Sequence, residues 1–234
     1  MTHFEAPGGA RLRYLPLTNS CIYIYCQVGS YRDNTMTSSA APVSSRVVIV
    51  GGFLWLAAAL VLGATGAFAV LPFPGPQIII LALTVAAIVV STRVPGVRAW
   101  VDSIPMRGLV GFNAMRFVGA VFVILGARGA FSPIFAARAG WGDVIAAAGA
   151  VLLVLIGSPR TTLHRWAYLA WNTFGVLDLV VAVGTATIVV VRGDVPGMEP
   201  ITRLPLVLVP TLFVPLLFAA HVAIYRRLMR SLDA

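Results

Sequence analysis

Runs of about 20 apolar residues recur along this chain, and most are closed at their ends by arginine. Twenty residues of helix rise about 30 Å, the thickness of a bilayer's hydrocarbon core. Backbone N–H and C=O groups find no water there, so each such run must pair its own backbone as a helix. Short segments between the runs leave no room for a soluble domain of about 50 residues or more. The chain therefore reads as an all-α integral membrane protein, a bundle of about six transmembrane helices with short loops.

The expected spans are 47–70, 71–92, 108–127, 144–157, 166–191 and 204–225. The second begins among Pro72, Pro74 and Pro76. Composition agrees: 59% of the 234 residues are hydrophobic and 11% are charged, against about 25% charged in an ordinary soluble domain. The formal net charge of +9 comes with 17 basic residues, all arginine. A basic balance can signal nucleic acid, but these arginines sit at the ends of apolar runs, where membrane topology explains them. The bilayer is the expected partner, with a homo-oligomer or a larger membrane complex beyond it, and no nucleic acid. With six spans, Arg46, Arg93, Arg98, Arg107, Arg160, Arg165, Arg226, Arg227 and Arg230 fall on one side. Arg128, Arg138, Arg192 and Arg203 fall on the other. That bias puts both termini in the cytoplasm of a bacterial-type inner membrane.

Residues 1–45 differ from the rest. They hold Cys21, Cys26, Tyr14, Tyr23, Tyr25 and Tyr31. The stretch from Met36 reads like a short cytosolic tail before a first membrane helix. Residues 1–45 are expected to be a disordered extension with a true start at Met36, and 46–230 a single six-helix domain. Ala67-Phe68-Ala69 resembles a signal-peptidase site, but its apolar stretch exceeds the 7–15 residues of a signal core. Two cysteines without partner ligands do not make a zinc site, which takes four, so no metal is expected. No cofactor can be named.

Two ionisable residues stand inside the spans. Arg116 lies between Arg107 and Arg128, and Asp178 between Arg165 and Arg192. At 1.5 Å per residue they lie about 13 and 20 Å from the cytoplasmic end, a difference an arginine side chain covers. A charge at that depth costs roughly 2.5–3.5 kcal/mol on insertion scales, so it is paired, turned inward or functional. Trp171, Gly175, Asp178, Ala182 and Thr185 follow 4-3-4-3 spacing, one inward stripe of a helix. An Arg116–Asp178 ion pair between the third and fifth spans follows, with Asn113 three residues before Arg116 and Asn172 at the seam's edge. It either fixes helix packing or forms a substrate or proton site.

Secondary candidates are Asp143, Arg138 and His221. Ser132-Pro133 through Gly140 reads as a separate short helix at the outer surface, and Asp143 as a cap of the fourth span. Pro205, Pro210 and Pro215 predict a bent sixth span. Ala59, Gly63 and Ala67 offer a small-residue face for helix association. No hydrolase, metalloprotease or phosphate-loop motif is present, so no catalytic residue is expected. The pattern fits a small permease or an ion- or proton-coupled carrier. A non-catalytic structural or assembly subunit, or a membrane enzyme acting on lipid or quinone, are the alternatives.

Overall fold

A computed structural model describes residues 45–230. The expectations for the N-terminal extension, its cysteines and its start site fall outside them. The described chain is all-helical, and six of its helices are long and apolar enough to cross a membrane. The protein is a multi-pass membrane protein. Its helices are α1 (Ser45–Ala64), α2 (Gly75–Arg93), α3 (Pro95–Ser103), α4 (Met106–Ala127), α5 (Pro133–Ile156), α6 (Thr162–Arg192) and α7 (Val209–Arg230). All but the short α3 are spans.

Local chemistry sets many of these boundaries. Proline opens α3 and α5 where a missing N–H costs nothing. The Thr161 hydroxyl accepts from the His164 N–H at the start of α6, a side-chain N-cap. That start places Arg165 inside the helix instead of at its edge. Gly157 (φ 105°) ends α5 and Gly193 (φ 67°) ends α6, in left-handed backbone that glycine adopts freely.

α7 is the most buried span, and α1 and α2 the least. α5 packs against α4 and α6, while α6 and α2 both lie on α7. Large apolar side chains on α1 and α2, among them Phe53, Leu54, Ile78 and Leu81, stay exposed. They face lipid, which is why spans so little packed can still be helical.

Three expectations are corrected. Residues 133–140 are not a separate surface helix. They form the first turns of α5, with a π-turn at Ala136–Gly140. Asp143 therefore caps nothing and lies inside the span. The sixth span begins at Val209, not 204, with its first turn (Val209–Phe213) also π-helical and Pro215 just inside it. The small-residue face of α1 is used within the chain: Ala59 and Gly63 are buried, with Leu204 and Val207 against Gly63. Ala67 lies beyond the helix end. α3, not foreseen as a helix, is fixed to α7 by Asp102, which faces Arg226 at 3.7 Å and Arg230 at 3.5 Å. Arg227 also donates to the carbonyls of Val101 and Ile104 at the end of α3.

Candidate functional site

The polar interior begins on α4. Residues Phe112–Val118 wind as a 3-10 helix inside the span. Three residues per turn eclipse side chains three apart, so Asn113 and Arg116 project from one line. Both are buried, Arg116 with 1% of its surface exposed. A guanidinium so enclosed needs partners for its N–H groups.

It finds them on two other helices. Arg116 Nε donates to Asp143 Oδ1 of α5 at 2.7 Å. Its Nη1 donates to the Gly175 carbonyl of α6 at 3.1 Å. Its Nη2 donates to Asp178 Oδ2, also of α6. One arginine thus joins three spans. Both aspartates are buried, so the cluster carries two carboxylates against one guanidinium, a formal charge of −1 when both are ionised.

Glycines let the helices approach this closely. A Cβ on Gly142 would overlap the Asp178 carboxylate. One on Gly119 would stand 2.5 Å from Asp143 Cβ and from the Gly140 carbonyl. The seam read from sequence does face inward: Trp171, Gly175, Asp178 and Thr185 are buried.

A second polar group adjoins the first. His221 of α7 meets Asn172 of α6: Nδ1 lies 2.8 Å from Asn172 Oδ1. Asn172 Nδ2 donates to the His221 carbonyl at 3.2 Å. That second bond fixes which end of the amide is oxygen, so the His221 Nδ1 carries the proton and donates. Its Nε2 is buried without a hydrogen-bond partner among the described residues. A Cβ on Gly175 would meet this nitrogen at 2.8 Å and Arg116 Nη1 at 3.2 Å, so histidine and guanidinium share one edge of that glycine. Asn113 donates to the Leu109 carbonyl at 3.2 Å, while its Oδ1 is a second buried acceptor without a donor among the described residues.

Of the residues singled out in sequence, Arg116, Asp178 and Asp143 come together directly. Asn172 and His221 pair beside them, and Asn113 lies on the arginine's own face. Arg138 is exposed on the π-turn of α5 and has no part in the cluster. Asp143 as a second ligand of Arg116 was not foreseen. The one available signal was its place on the small-residue run Gly140-Trp-Gly-Asp143.

A cavity of about 20 Å³ touches the cluster, lined by Met115, Arg116, Asp143, Leu179, Val209 and Val214 among others. That is room for a single water. A larger cavity of about 470 Å³ lies beyond, toward the end of the bundle that carries residues 65–74 and 193–208. Val209 and Val214 line both. Phe122 and Phe135, rings 5.5 Å apart, form part of the larger cavity's wall.

The chain belongs to a family described as Domain of unknown function (DUF8737), whose model matches residues 73–229. The match takes in α2 to α7 and every member of the polar cluster, and begins after α1. No curated protein and no solved structure matches the chain.

Proposed function

We propose that this protein is a small proton- or cation-coupled carrier of a bacterial-type inner membrane, its single helical domain spanning 46–230 and its termini in the cytoplasm. The observation that carries the reading is the cluster's stoichiometry. Asp143 and Asp178 share the lone guanidinium of Arg116 in an apolar bundle. A surplus negative charge buried this way calls for a compensating proton or cation, and intramembrane carboxylates commonly mark such pathways. The water-sized cavity beside Arg116 and Asp143 gives that ion a place to arrive. In this reading Arg116 fixes the two carboxylates and Asp178 and Asp143 exchange the ion. His221, held by Asn172, offers the next acceptor, with Asn113 beside Arg116. The irregular turns on α4, α5 and α7 supply helices able to bend, as π-turns and mid-helix 3-10 segments often do at functional sites. Arg138, exposed and apart from the cluster, has at most a role at the surface.

The test is flux. Purified protein in liposomes enclosing a pH-sensitive dye should pass protons down an imposed gradient, and Asp178→Asn should abolish this while remaining folded in detergent. Wild-type liposomes silent under every proton and cation gradient would remove the carrier reading.

A second reading has its own support. Arg116 bonds through Nε, Nη1 and Nη2, tying α4 to α5 and α6. That is what a packing device in a structural or assembly subunit requires. It predicts that Asp178→Asn loses the fold and not merely the flux.

A further inference from the structure

We infer that the cavity of about 470 Å³ binds a singly charged organic cation with an apolar body. α2 and α6 both rest on α7, and the cavity occupies the gap between them. Its volume falls in the range of small-molecule sites, about 300–1,000 Å³. Its walls are mainly apolar, including Phe68, Phe73, Ile80 and Phe122. Aromatic rings attract cations over their faces.

The charges decide the sign. Asp194, Glu199 and Arg203 all line the cavity, a formal balance of −1 on a chain whose net charge is +9. None of the three forms an ion pair among the described residues, so both carboxylates are free to take a ligand. Gln77 also lines the cavity. The hydroxyls of Thr187 and Thr202 already donate to backbone carbonyls. Two carboxylates against one guanidinium suit a ligand that brings positive charge, such as an amine.

The cavity also lies close to the polar cluster. Asp178 and Ala182 are four residues apart on α6, about 6 Å along its axis, and Ala182 lines the cavity. Val209 and Val214 line both it and the smaller void. The inference deepens the carrier reading by naming its substrate class, but binding is measurable without flux.

The probe is ethidium, a planar cation with two amino groups, titrated by fluorescence anisotropy against the full chain in phosphatidylcholine nanodiscs. Saturable one-to-one binding is expected, with no binding of anionic fluorescein. Glu199→Gln and Asp194→Asn, at exposed positions, should each weaken it roughly three- to tenfold. Arg203→Gln should tighten it. Ala186→Trp, which fills the cavity, should abolish it in protein that still elutes as a folded species. Absence of saturable binding, equal affinity for fluorescein, or binding unchanged by Ala186→Trp or by both carboxylate variants would each overturn the inference. So would native mass spectrometry showing a phospholipid that Ala186→Trp displaces and ethidium does not. Flux without ethidium binding rejects the cation site alone, and ethidium binding without flux rejects the carrier reading alone.

Discussion

The Trp55 indole N–H donates to the Thr211 carbonyl at 2.9 Å, and the residue that would serve that carbonyl within an α-helix is Pro215, which has no N–H. α1 thereby supplies the donor that α7 lacks, at the π-turn whose Val209 lines both cavities. Trp55→Phe should cost about 1 kcal/mol, in the range for one such bond in a membrane protein. In a Pro215→Ala background, where an N–H is restored, the same change should cost much less. Thermal unfolding in detergent of the four proteins reads the coupling, and equal losses in both backgrounds would refute it.

Gly142 is the contact point for Asp178. Gly142→Ala should push the carboxylate off Arg116, adding overpacking of about 1–3 kcal/mol to a broken buried pair. A fall in thermal midpoint several-fold larger than that of the control Gly184→Ala, which meets nothing within 4 Å, is the expected result. A similar fall for both would show that Gly142 does not hold the cluster closed.

The shared arginine predicts an order of damage. Arg116→Gln leaves two carboxylates buried without a cation and should destabilise by about 3–5 kcal/mol. Asp143→Asn and Asp178→Asn each leave a one-to-one pair and should cost less. If either aspartate variant unfolds as readily as Arg116→Gln, the two carboxylates do not compete for one guanidinium.

Asn172 dictates the tautomer of His221. The 15N resonances of His221 should therefore show a protonated Nδ1, and Asn172→Leu should shift them toward a tautomer mixture. A protonated Nε2 in the wild type would contradict the assigned hydrogen bond.

Much of the architecture was legible because hydrophobic thickness leaves few choices. The six spans follow from run length, and the inward face of α6 from its 4-3-4-3 spacing. The meeting of Arg116 and Asp178 followed from matched depth, since arginines at the span ends act as rulers, and from that inward face. What escaped depends on helix winding. Gly140-Trp-Gly-Asp143 looks like a helix start, because glycines and a carboxylate are what starts contain. In the fold a π-turn carries the chain through those residues without a break, and Asp143 is delivered to Arg116. Likewise the 3-10 winding around Arg116 has no local sequence mark, since it answers to contacts with α5. Pro205 through Pro215 announced irregularity in the last span, but not that α1 would complete its hydrogen bonding. Arg138, a candidate by sequence, lies exposed on the π-turn of α5 and apart from the cluster.

The glycines at Gly119, Gly142 and Gly175 have a consequence for how this protein can vary. Each faces a member of the polar cluster across a gap too small for a methyl group. Every missense change of a glycine codon adds at least a Cβ. An aspartate can drift to asparagine and keep its shape, whereas these three positions have no neutral neighbour in the genetic code. In a library of random variants, the outline of the cluster should emerge first as a set of invariant glycines, ahead of the charges they enclose.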